Sequence, residues 1–308
     1  MSFLNKLFGG PEPTPEEKEQ RQRLRRFETL RDEGLRARRA GALPHAAACL
    51  EEALRLNDDL ATAGHLAEVH LLQGDDAGAL PLLRRLAAAE PDNVEVALLL
   101  SQSLTRTGAP DEALSVANAL VAAHPDEVRA RYVLALAERA AGNLFGAIAA
   151  LTQALAARPD YATARRLRAE ILLDMGQGRE ALADTQTLTA DAPDDETCLL
   201  LHARALAAAG STDDALTTAE RLRALNPFHR EAILLLGSLY DAARRHELAL
   251  ALYDEAIGLM PDFAEAYERR GRLKMQLHDA AGAADDLKQA LALSPEAAGR
   301  IDGTFSNN

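Results

Sequence analysis

The sequence predicts an all-α protein built from one helix–turn–helix unit repeated about eight times. Three observations predict it. Prolines recur every 34 residues at Pro91, Pro125, Pro159, Pro193, Pro227, Pro261 and Pro295. Twelve residues before each stands an alanine (Ala79, Ala113, Ala147, Ala181, Ala215, Ala249, Ala283), and twelve before that a small residue (Ala67, Ser101, Ala135, Ala169, Ala203, Gly237, Gly271). Between these two a glycine recurs at Gly74, Gly108, Gly142, Gly176 and Gly210. A fixed period carried from Pro91 to Pro295 means stacked supersecondary units, so chain length no longer counts domains.

Each mark has a physical reading. The mid-unit glycine takes a left-handed conformation cheaply and separates one helix from the next. Proline lacks an amide donor and clashes with the preceding turn, so it ends the second helix. Small residues at positions 8 and 20 of the unit let its two helices approach closely. The pattern resembles the tetratricopeptide repeat, with a small residue at position 8, Gly near 15, Ala at 20 and Pro at 32. The resemblance implies a right-handed solenoid of about eight such repeats, winding about one superhelical turn.

Taken in order, residues 1–14 read as an amphipathic segment and flexible linker. Thr14-Pro15-Glu16-Glu17 is a helix start with a capping box, and a long helix from Pro15 to about Ala40 follows. Its first turns, Glu16 to Arg23, are polar all round and are expected to project past the packed body. Residues 15–59 hold this helix and a degenerate first repeat, Phe27–Asp59, with Gly34, Gly41 and Ala46 at positions 8, 15 and 20. Seven regular repeats fill 60–297, starting at 60, 94, 128, 162, 196, 230 and 264. The last two carry Arg244 and His278 in place of the glycine, so their turns are expected to be tighter or differently shaped. Asp92, Asp262 and Ser211 read as N-caps. Residues 298–308 read as a disordered tail, leaving an outer face with Leu287 and Leu291 partly uncovered.

Composition excludes several classes. A net charge of −13 opposes general nucleic-acid binding. Residues 1–40 are net basic against an acidic body, which reads first as a solvated helix face. No apolar run reaches the roughly 20 residues a spanning helix needs, and Lys6 interrupts the apolar start, so no secretory signal is read there. The two cysteines, Cys49 and Cys198, fall in different repeats, which argues against a disulfide framework and for a cytoplasmic location. No catalytic constellation, phosphate-cradling loop or HExxH is found. His45 and Cys49 share a helix face, but a metal site needs three or four ligands and no other Cys or His lies near in sequence. The expectation is a non-enzymatic chain with no metal and no cofactor.

Function follows from the resemblance. Tetratricopeptide repeats bind extended peptides or partner helices in a concave groove lined by positions 2, 5, 9 and 12 of each first helix. The paired asparagines of the subtype that clamps C-terminal carboxylates are absent. In the middle of the groove stand Arg129, Tyr132, Arg139, Arg166 and Arg204, a basic patch with an aromatic. Arginine forks suit carboxylates, so the candidate partner is an acidic protein or peptide. The competing reading pairs these arginines with Glu170 and other local acids. Arg165 and Arg168 take positions 4 and 7, where large apolar residues are usual, and Glu138 of the preceding repeat is expected to meet them in a buried ion pair.

The main reading is therefore an interaction scaffold or adaptor. One alternative is a peripheral membrane-associated assembly factor tethered by residues 1–8. There Phe3, Leu4, Leu7 and Phe8 form an apolar helical face for docking on protein or a membrane surface. Another is end-to-end self-association through the C-terminal helix.

Overall fold

The computed structural model describes residues 14–294, and every element among them is an α-helix. The chain divides into two compact units, residues 1–157 and 158–308. The first holds α1 (Pro15–Arg39), α2 (Leu43–Leu56), α3 (Leu60–Leu72), α4 (Asp76–Ala89), α5 (Val94–Arg106), α6 (Pro110–Ala123), α7 (Val128–Ala140) and α8 (Leu144–Ala157). The second holds α9 (Ala162–Asp174), α10 (Gly178–Asp191), α11 (Glu196–Ala208), α12 (Thr212–Leu225), α13 (Arg230–Ala242), α14 (His246–Leu259), α15 (Ala264–Gln276) and α16 (Ala280–Leu293). Odd helices open repeats and even helices close them. The N-terminal segment with Phe3, Leu4, Leu7 and Phe8, and the tail at 298–308, lie outside the described residues.

The first helix starts as its capping box dictates. The Thr14 hydroxyl accepts from the Glu17 amide at 3.2 Å, and the Glu17 carboxylate accepts from the Thr14 amide at 2.9 Å. Residues 14–26 are exposed, yet the Arg23 guanidinium still donates to the Leu56 carbonyl of α2 at 2.5 Å. Packing inside a repeat rests on positions 8 and 20. Ala67, Ala79, Ser101, Ala113, Ala135, Ala147, Ala169, Ala181, Ala203, Ala215, Ala249 and Ala283 are all buried. The Ser101 hydroxyl donates to the Ala113 carbonyl at 3.2 Å, which places position 8 against the position-20 backbone. At Gly34 and Gly271 an added Cβ would stand 3.2 Å from the carbonyls of Ala46 and Ala283, the same meeting.

Several expectations are corrected. Arg244 and His278 do not reshape their turns. They take φ of 58° and 65°, the left-handed region that the glycines of the other repeats occupy at 72° to 86°. Arg244 N–H donates to the Asp241 carbonyl and Arg245 N–H to that of Tyr240, as Gly74 and Asp75 do to Leu71 and His70. Helix packing holds the shape constant, and these two side chains carry the steric cost.

The N-caps lie one residue later than Asp92 and Asp262. Asn93 caps α5, its side chain accepting from the Val96 amide at 3.2 Å. Phe263 occupies the cap of α15 and is fully buried, while Asp262 pairs with Arg230 at 2.9 Å. Ser211 stands at the N-cap of α12, but its side chain makes no capping bond. Leu287 is buried against α15, where it fills the space that the missing side chain of Gly271 leaves, and Leu291 is half-buried beside it. Leu287 is thus not part of the partly uncovered face expected from sequence, whereas Leu291 keeps part of its surface exposed.

The apolar rule at position 7 is also broken differently from the expectation. Position 7 packs toward position 23 of the same repeat. In the third repeat these are Leu100 and Val116, which share one apolar cluster. In the fifth they are Arg168 and Asp184, joined by two bonds of 2.7 Å, with Arg165 adding a third at 3.2 Å. The acid that both arginines meet is thus Asp184, one helix further on in the same repeat. Glu138 accepts instead from the Asn143 side chain at 2.8 Å. The eighth repeat repeats the arrangement: Arg270 holds Asp286 at 2.6 and 2.8 Å, and Lys274 joins at 2.8 Å.

Candidate functional site

Which helix face is available follows from packing within each unit. Most consecutive first helices (α1 with α3, α5 with α7, α9 with α11, α11 with α13, α13 with α15, but not α3 with α5) touch more closely than any two second helices do. A stack tighter on one side curves toward that side, so the first helices line the inner face of each unit.

In the first unit this face is largely neutralised by its own acids. Arg129 donates to Glu127 at 3.1 Å and to Glu95 at 2.8 Å, and the two contacts push its pKa up. Glu95 stands at the same position one repeat earlier, so like positions of consecutive repeats are neighbours. Arg38, at position 12, pairs with Glu68 at position 9 of the next repeat, and Arg31 with Asp32 at 3.1 Å. Tyr132 is half-buried in a cluster with Leu98, Leu120 and Val133. Arg139 is half-buried and engaged.

The second unit differs. Arg166 on α9 and Arg204 on α11 are exposed and make no hydrogen bond or ion pair with any described residue. Arg166 feels Asp195 at longer range and contributes to lowering its pKa, after the stronger bonds from Cys198. Glu170 pairs with neither arginine. Of the five groove residues read from sequence, three stand on the last first helix of the first unit and two on the second unit.

Sequence reasoning missed a polar pocket of about 160 Å³ between α13 and α15, lined by Ser238, Asp241, Tyr253, Arg269 and Arg272. Tyr253 reaches this pocket by lying against Gly237: an added Cβ there would sit 2.2 Å from the phenol oxygen. Burial pushes the Tyr253 pKa up to about 12, so the phenol stays neutral. The one sequence signal was glycine in place of alanine at position 8.

No helix of the described residues is long and apolar enough to cross a membrane. Cys49 and Cys198 are both buried and free. The fold brings Glu33 to His45 and Cys49 in the first repeat.

Helix pairs of constant length, left-handed turns at position 15 and small residues meeting at positions 8 and 20 define an α-solenoid of 34-residue repeats. Two family models described as tetratricopeptide repeat match the chain, one at residues 70–137 and 138–205, the other at 31–94 and 200–264. The chain belongs to the tetratricopeptide repeat family. No curated protein matches it. Among solved structures, it is similar to a tetratricopeptide repeat protein from Parabacteroides merdae, with a TM-score of 0.60 and 18% identity over 76% of this chain and 93% of that one. It is also similar to PilW, a type IV pilus biogenesis factor, with a TM-score of 0.59 and 20% identity over 68% and 98%. YrrB, a tetratricopeptide protein described as having an unusual peptide-binding site, gives a TM-score of 0.52 and 19% identity over 60% and 95%. At these identities the likeness is one of fold.

Proposed function

We propose that this chain is a non-enzymatic interaction scaffold whose second unit holds an acidic segment of a partner protein against α9 and α11. The observation that carries the reading is the pair Arg166 and Arg204, exposed and unpaired on consecutive first helices while Arg129, at the inner face of the first unit, is neutralised. A planar guanidinium with free donors is suited to bidentate capture of a carboxylate. The peptide-binding site named for YrrB belongs to that protein, and it supports the idea that this fold can present one. The buried, free cysteines fit a reducing compartment, which supports the reading of a cytoplasmic scaffold.

The spacing sets the ligand pattern. Positions 5 and 9 differ by four residues, about 6 Å along the helix axis, and neighbouring helices lie about 10 Å apart. The two guanidinium stems are then on the order of 12 Å apart, which an extended chain spans in about three to four residues. A fluorescent peptide with glutamates four residues apart is the probe, read by anisotropy against its glutamine counterpart. The glutamate peptide should bind at least about tenfold tighter, as for one charge-assisted contact, and its affinity should fall with salt. Equal binding of the two peptides would sink the acidic-ligand reading.

A further inference from the structure

In the fifth and eighth repeats the acid between first and second helix is answered by arginine. In the first repeat the same place is filled by other chemistry. Glu33 holds position 7, Cys49 holds position 23, and His45 lies one helical turn before Cys49. No arginine joins Glu33 there among the hydrogen bonds and ion pairs of the described residues; its partner is the imidazole of His45, at 3.0 Å. The contact offers three donors of three kinds and an acid lacking the fixed cation that its counterparts have.

We propose that Glu33, His45 and Cys49 form a zinc site that ties α1 to α2. Two of the three edges among these donors are close to those of a zinc tetrahedron. Zinc bond lengths of about 2.0 Å to nitrogen and oxygen and 2.3 Å to sulfur place nitrogen about 3.3 Å from oxygen and about 3.5 Å from sulfur. Here Nε2 of His45 stands 3.0 Å from Oε1 of Glu33 and 3.7 Å from Sγ of Cys49. One ligand atom from each of the three residues lies within 4.8 Å of the others. The sulfur lies nearly as close to Nδ1, at 3.9 Å, so rotation of the exposed His45 and Glu33 side chains would close the donors on an ion. Cys49 is buried at the floor, while the Glu33 and His45 side chains are about half exposed, so an ion can enter from solvent and keep water as its fourth ligand.

The donor set selects the metal class. A thiolate and an imidazole beside one carboxylate suit zinc and disfavour calcium and magnesium, which take oxygen ligands. No carboxylate or carbonyl orients the imidazole from behind among the described contacts, so the affinity should be that of a three-ligand site without outer support. Binding would fix the first repeat to its long helix, stabilising it by mass action.

The test uses cobalt(II) as a spectroscopic stand-in on the full, tag-free chain. The wild type should show the near-ultraviolet charge-transfer band of a thiolate on cobalt and the intense visible bands of a tetrahedral site, and zinc should abolish both. Cys49→Ser should lose the charge-transfer band and His45→Gln the tetrahedral bands. His45 is exposed, so its variant keeps the fold, which melting without metal verifies. Cys198→Ser should keep both signals. Absence of the bands in wild type, or their loss with Cys198 and persistence without Cys49, would overturn the site.

Discussion

Between the two helices of the second, third and fourth repeats, positions 7 and 23 are Leu66 and Leu82, Leu100 and Val116, Leu134 and Ala150. In the fifth and eighth they are Arg168 with Asp184 and Arg270 with Asp286, the acids 1% and 6% exposed. The backbone around them is the same: 13-residue first helices, 14-residue second helices and left-handed turns. The solenoid therefore asks only that the contact be filled. Apolar packing fills it without orientation; the bidentate pair fills it with one geometry and a desolvation cost that the Coulombic attraction must recover. The fate of an arginine on this scaffold depends on its surroundings. Turned toward position 23 it is consumed by structure; on the inner face it is neutralised at Arg129 and stays available at Arg166 and Arg204.

The largest effect expected from this comparison is at Asp184. Replacing it alone, Asp184→Leu, leaves Arg165 and Arg168 half-buried without their acid and should cost about 3–5 kcal/mol. The double change Arg168→Leu with Asp184→Leu rebuilds the apolar contact of the third repeat. It should recover the share of that loss carried by Arg168 in denaturant melts, with Arg165 keeping its bond to the Pro159 carbonyl. A double mutant no better than the single one would show that the ionic and apolar contacts are not interchangeable.

Next comes the close approach at position 8. Gly237→Leu must displace the Tyr253 ring, and overpacking of this kind costs about 1–3 kcal/mol. Unchanged melting would break the assignment of position 8 as a helix–helix contact.

Acid should separate the two kinds of contact. Burial acts to raise the Asp286 pKa, but the bonds from Arg270 and Lys274 outweigh it and hold the carboxyl below its usual range. Its contribution is full above the ordinary aspartate value of about 3.9 and is lost as pH falls through the lower folded value. Hydrogen exchange in α15 and α16 should therefore accelerate on acidification below that value. The Leu100–Val116 contact between α5 and α6 has no group to titrate, but the Asp76 and Glu112 carboxyls bonded to Arg106 and Arg84 are also held low. The comparison is therefore made in an Asp76→Asn, Glu112→Gln background, where equal acid sensitivity of the two repeats would contradict it. The smallest effect is at the turns. Arg244→Gly relieves the left-handed strain at the expense of a freer unfolded chain, for a net gain of about 0.5–1 kcal/mol, read as a higher denaturation midpoint.

Sequence showed most of this fold because its determinants repeat. Positions 8, 15, 20 and 32 are marked by residues with few conformational options, so Gly74, Ala79 and Pro91 announce their roles by period alone. What the period hid were the contacts between positions of different number. Asp184 meets Arg168 because helices pair at positions 7 and 23, and nothing in the spacing of two arginines pointed there rather than to Glu138. The neutralisation of Arg129 was partly legible, since Glu95 lies 34 residues earlier at the same position. Asn93 was missed by one residue because Asp92 offers the same capping chemistry. Glu33 was missed because it joins His45 and Cys49 across a turn.

On the proposed function, free arginines on the second unit, and not neutralised ones on the first, capture an acidic ligand. The direct measurement is anisotropy of the glutamate peptide with wild type, with Arg166→Glu plus Arg204→Glu, and with Arg129→Glu, each checked for unchanged helicity. The double reversal should weaken binding by about a hundredfold or more, as for two charge-assisted contacts, and Arg129→Glu should leave it within a fewfold of wild type. A double mutant that binds like wild type, or a loss confined to Arg129→Glu, would contradict it.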